Sequence, residues 1–127
     1  MIIESWRLIL RPWEDGDAAE LYEYAKDPDI GGSAGWLPHK SVEESLEIIR
    51  TVLSEPETYA IVPKETGRPI GSIGIFPTRA KGAEEGELEI GYWIGKPYWG
   101  RGFAPEAVTV LLKRCFEIGR ASCRERV

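Results

Sequence analysis

Residues 87–116 change period partway along, and that change sets what the chain can fold into. Glu87–Ile94 alternates, with Leu88, Ile90, Tyr92 and Ile94 on one face, which predicts a strand. Beyond Pro105, which suits a first helical turn, Val108, Leu111, Leu112 and Cys115 recur at i, i+3, i+4 and i+7, which predicts a helix. Gly95–Ala104 lies between them and carries three glycines. Glycine lets the backbone approach an anion closely, and a helix start offers unsatisfied N–H groups and a favourable dipole. This strand, turn and helix therefore form a candidate phosphate or diphosphate site.

The preceding residues supply a sheet and helices to cover it. Arg7–Arg11 reads as a first strand ended by Pro12. The acidic run Glu14-Asp15-Gly16-Asp17 reads as a charged helix start, since a calcium loop needs more ligands at alternate positions. Ala18, Leu21, Tyr22 and Ala25 then form an apolar stripe, with Asp17 and Glu20 at capping-box spacing. Ser41 and Glu44 form a second such box ahead of Val42, Leu46, Ile49 and Leu53. Thr58–Pro63 and Pro69–Phe76 read as a hairpin turning at Gly67. This order predicts one α/β domain of the α+β type, with a mixed, mostly antiparallel sheet.

Composition narrows the function. A chain of 127 residues allows one domain, and five Trp with 43% hydrophobic residues argue against disorder. No apolar run approaches the roughly 18 residues of a membrane helix, and no signal peptide is seen, so a cytoplasmic protein without a membrane partner is expected. A net charge of -5 argues against nucleic acid and suits protonated amines. Two cysteines make no disulfide scaffold, and Cys115 reads as a small core residue.

Spacing then tests the phosphate motifs. Gly91–Pro97 has three residues between its glycines and ends in Lys-Pro, so it is not a P-loop. Gly100–Pro105 has Pro where a dinucleotide fingerprint needs Gly or Ala, so that reading fails too. Trp99-Gly100-Arg101-Gly102-Phe103-Ala104 instead resembles the acyl-CoA diphosphate motif of the GNAT N-acetyltransferase superfamily, Q/R-x-x-G-x-G/A, with Trp at the first place. Glu89-Ile90-Gly91-Tyr92-Trp93 and Arg7–Trp13 (RLILRPW) are similar to strands of the branch that contains ribosomal-protein N-terminal acetyltransferases. GWLPHKSVEES resembles the start of that branch's second helix.

This resemblance implies acetyl transfer from acetyl-CoA to a primary amine, either a protein N-terminus or a small molecule; the alternative is a non-catalytic acyl-CoA-binding module or subunit. It implies that Trp99, Gly100, Arg101, Gly102, Phe103 and Ala104 hold the diphosphate, and that the main chain of Tyr92, Trp93 and Ile94 holds the pantetheine arm. Glu89 stands at the place of the family's strand carboxylate. An amine protonated at neutral pH must lose a proton before attack, so Glu89 is the expected general base, with Glu87 second. Trp36 is expected to wall the acceptor site, and His39 to be an exposed loop residue. The cluster Glu84, Glu85 and Glu87 reads as a solvated hairpin edge.

The domain is expected to span residues 1–116. Apolar periodicity stops at Phe116, and Glu117–Val127 (EIGRASCRERV) resembles a translated sequencing-library adapter, so a non-native tail is expected there. On that expectation the family's remaining elements are missing, Glu87–Ile94 is an exposed edge strand and the cofactor groove has one wall. Weak acetyl-CoA binding, impaired activity and aggregation are then expected.

Overall fold

The computed structural model describes residues 2–30, 37–77, 88–118 and 123–126. Its strands are β1 (Ile3–Glu4), β2 (Leu8–Arg11), β3 (Thr58–Pro63), β4 (Gly71–Pro77), β5 (Leu88–Ile94) and β6 (Cys123–Arg126). Helices α1 (Ala18–Ala25) and α2 (Val42–Thr51) follow β2, and α3 (Phe103–Ile118) follows β5. The sheet order is β1-β2-β3-β4-β5-β6, antiparallel up to β5, with β6 parallel to β5. Among the described residues no helix is long and apolar enough to cross a membrane.

The alternation predicted for β5 decides which layer each residue joins. Ile90 and Ile94 face α3 and pack with Leu8, Leu10, Ile61 and Ile73 against Ala107, Val108, Leu111 and Cys115. On the other face, Trp93 packs against a cluster of Trp13, Leu21, Ala25, Ile49, Ala60 and Val62, which brings in α1 and α2. All six residues of β3 are buried, as a central strand covered on both faces requires. The result is helix, sheet, helix.

Several sequence expectations are corrected here. The α1 start is fixed by Asp17 without a side-chain cap from it: Arg11 donates to both Asp17 carboxylate oxygens at 2.8 and 3.0 Å, and the Glu14 N–H donates to Oδ2 at 2.9 Å. An Arg fork offers more to the carboxylate than the expected exchange with Glu20. On α2 the Ser41 cap is as expected, its Oγ accepting from Glu44 N at 3.1 Å. The buried stripe, however, runs through Ser45 and Ile49, leaving Val42 39% exposed. Cys115 is buried as expected and is also disulfide-bonded.

The expectation of β5 as a bare edge is likewise overturned. β6 pairs with it in parallel over Leu88↔Cys123 to Gly91↔Arg126. Parallel pairing across an intervening helix is the usual β-α-β connection, and α3 supplies that helix.

One end of the sheet carries a titrating clasp. Glu57 has a left-handed φ of 59°, and its carboxylate accepts from Arg114 at 2.9 and 3.0 Å and from the Tyr59 hydroxyl at 2.7 Å. The Arg114 hydrogen bonds hold the Glu57 carboxyl below its ordinary value of 4.5, while burial first, and then Glu57, pushes the Tyr59 phenol up to about 12. A depressed carboxylate contributes stability that is fully present above the ordinary value and lost as pH falls through the folded one. Acid titration of urea midpoints should therefore show stability falling below about pH 4.5, with Glu57→Gln flattening that fall.

Candidate active site

The end of β5 is built around a glycine. The Gly95 N–H donates to Ile70 O at 2.7 Å, and a Cβ at Gly95 would stand 2.7 Å from the Tyr24 ring and 3.1 Å from Ile70 O, so only hydrogen fits. Tyr24 of α1 meets Tyr98 edge-on at 5.9 Å, which seats α1 against the short 3-10 turn Lys96–Tyr98. Trp99 then closes the turn on the strand, its Nε1 donating to Ile94 O at 2.7 Å. Trp99 thus positions the loop by a side-chain bond, a role that the motif's spacing alone does not disclose.

Gly100 and Gly102 follow with φ of 79° and 78°, a conformation that other residues reach only with strain. This double left-handed step turns the chain into α3. Gly100, Arg101 and Gly102 are exposed, and Phe103 and Ala104 are half-buried. Among the described residues, the amides of Gly100, Arg101, Gly102, Phe103 and Ala104 have no hydrogen-bond acceptor; the Glu106 N–H bonds to Gly102 O at 3.3 Å. Unmatched N–H groups at a helix start, in a turn with no obstructing Cβ at Gly100, are chemically suited to an anion. The Arg101 side chain lies over the Tyr98 ring, 5.5 Å from its centre.

Glu89, Gly91 and Trp93 share the sheet face opposite α3, in register with Phe76, Gly74 and Ser72. Glu89 is buried, 8% exposed, two residues from Gly91 on the same face. A Cβ on Gly74 would stand 2.6 Å from the Phe76 ring, so Gly74 leaves room for that ring, while one on Gly91 would meet it at an ordinary contact distance of 3.4 Å. Trp13 Nε1 donates to Ser72 Oγ at 3.1 Å farther along the face. Tyr92 and Ile94 lie on the α3 side, and Tyr92–Ile94 continue beyond the last β5–β6 register pair.

His39 departs from expectation. It is buried at 9% exposure, with Nδ1 2.8 Å from Ser45 Oγ, and burial lowers its imidazole pKa despite the opposing pull of Glu44. It pins the segment before α2 and is no exposed loop residue. Trp36, Glu84, Glu85 and Glu87 lie outside the described residues. The sequence reading missed Arg7, whose guanidinium reaches the glycine turn by donating to Arg101 O at 3.0 Å.

The same fold is found in solved acetyltransferases. A GNAT-family acetyltransferase from Bacillus anthracis superposes with a TM-score of 0.74 at 22% identity, covering 92% of this chain and 67% of that one. A Vibrio cholerae protein provisionally described as a ribosomal-protein-serine acetyltransferase gives 0.69 at 25% identity, with the same coverages. The uncharacterized N-acetyltransferase p20 of Bacillus licheniformis is 35% identical over 111 residues, 84% of this chain. The chain spans 61% of the length of p20. A family model described as the acetyltransferase (GNAT) domain matches residues 7–124. The chain belongs to the GNAT acetyltransferase family.

Proposed function

We propose that the chain is an acetyl-CoA-dependent N-acetyltransferase in which the Gly100–Ala104 turn holds the diphosphate of the donor. The observation that carries this reading is the run of turn amides without acceptors among the described residues, two glycines with positive φ among them, at the start of α3. Five adjacent donors suit a doubly charged group better than a single carboxylate. Acetyl-CoA supplies an activated thioester carbonyl. The main chain of Tyr92, Trp93 and Ile94, leading from β5 towards the turn, holds the pantetheine arm and stabilises developing charge on the carbonyl oxygen.

Glu89 takes a proton from the acceptor ammonium, directly or through water, and the neutral amine attacks the carbonyl. The nitrogen–carbon bond forms and the carbon–sulfur bond breaks; the nitrogen gives up its second proton, which passes through water to the departing thiolate, so that the amide and the free thiol of CoA result. A protein N-terminus or a small-molecule amine is the acceptor class, and the Vibrio cholerae neighbour favours the former.

Calorimetric titration tests the donor. Acetyl-CoA should bind saturably, and ATP, which offers phosphates without the pantetheine arm, should compete poorly. Equal displacement of bound acetyl-CoA by ATP would overturn the assignment in favour of a general nucleotide site.

A further inference from the structure

We propose that Arg7 is a positioning residue for the donor turn, acting through Glu106 from the far end of the chain. This rests on the reading of that turn as a diphosphate site. Arg7 and Glu106 are 99 residues apart, yet Arg7 binds the Glu106 carboxylate twice: its Nε donates to Oε1 and its own N–H to Oε2, each at 2.7 Å. The Ser5 hydroxyl also donates to Oε2. The same guanidinium donates through Nη1 to Arg101 O at 3.0 Å and stacks 4.5 Å from the centre of the Phe103 ring. Its Nη2 stands 3.3 Å from where a Cβ on Gly102 would be.

One side chain thus touches the carbonyl of Arg101, the space beside Gly102, the ring of Phe103 and the first-turn acid of α3. Two glycines make this turn flexible, and a flexible set of donors must be ordered when the ligand binds. Arg7 orders it beforehand. It also holds the Arg101 carbonyl towards itself; free to rotate, that oxygen would repel phosphate. Glu106, an acid near a helix start, would compete with an incoming anion; Arg7 offsets its charge. Only a planar fork reaches Glu106 and Arg101 O together, so lysine is no substitute.

The experiment compares acetyl-CoA with acetyl-pantetheine, which keeps the thioester and arm but lacks the diphosphate. Calorimetric affinities are measured for the unmutated chain and for Arg7→Ala, Arg7→Lys and Glu106→Gln. Both Arg7 variants should bind acetyl-CoA about ten- to a hundredfold more weakly, the scale of hydrogen bonds to a charged group. Acetyl-pantetheine should change less than about twofold. Glu106→Gln, which keeps an acceptor for Nε, should lose less. Unchanged acetyl-CoA affinity in the Arg7 variants, or equal losses for both donors, would overturn the positioning role. Arg7→Lys keeps the test available if Arg7→Ala does not fold. An unmutated chain that does not distinguish the two donors overturns the diphosphate reading itself, and this inference with it.

Discussion

Glu89→Gln is expected to lower kcat by about two to four orders of magnitude, the usual worth of a positioned general base. Acetyl-CoA affinity should stay unchanged. The substitution keeps the size and hydrogen-bonding reach of the side chain but removes its capacity to take a proton. Glu89 is 8% exposed, on a strand whose register fixes Phe76 and Gly91 beside it, so the amide should remain where the carboxylate was. Steady-state kinetics with an amine acceptor, run beside calorimetry with acetyl-CoA, separate three outcomes. Loss of turnover alone supports the base. Loss of turnover, affinity and thermal midpoint together would show a structural carboxylate. Absence of turnover in the unmutated chain, with tight acetyl-CoA binding, would favour a non-catalytic acyl-CoA-binding module.

Leu111→Ala should lower unfolding free energy by about 2–5 kcal/mol, a large part of the roughly 5–15 kcal/mol available to a domain. Leu111 is fully buried where α3 meets the sheet, in one cluster with Ile61, Ile73, Ile90 and Val108. The neighbours belong to a sheet and cannot collapse freely into the space, so the cavity penalty adds to the lost transfer energy. Urea unfolding followed by tryptophan fluorescence measures it, with Lys113→Ala on the exposed side of α3 expected to change stability by less than about 0.5 kcal/mol. A Leu111→Ala chain as stable as Lys113→Ala would mean that α3 is not seated as described. The turn is built on the first residues of α3, so a loosened helix should also weaken acetyl-CoA binding.

The sequence disclosed those features whose cause is local. Alternation through Leu88, Ile90 and Ile94 placed β5 correctly, because one face of a strand meets one layer. The stripe Val108, Leu111 and Cys115 placed α3 for the same reason at helical spacing. Glycines at 100 and 102 announced the turn, since few other residues can adopt its φ. What stayed hidden depends on partners remote along the chain. Arg7 looks like an ordinary strand residue until Glu106 is folded onto it. His39, a lone polar residue, has no periodicity to reveal that Ser45 receives it. β6 shows no apolar alternation, and only its position beside β5 makes it a strand. β1 is two residues long, too short for any pattern.

Every strand of the sheet lies beside its neighbour in sequence, so β1–β2 and β3–β4 close short loops, while β2–β3 and β5–β6 close longer connections that contain helices. The short closures are the ones that favour rapid assembly. The contact of Arg7 with Glu106 closes one of the longest spans, 99 residues, beside the packing of Leu8 and Leu10 against α3. Loop-closure entropy places such a contact late, after the ladders and α3 are in position. A contact absent from the transition state slows unfolding and leaves the folding rate unchanged. The value of this clasp is then expected to lie in how long the native state lasts, more than in how quickly it is reached.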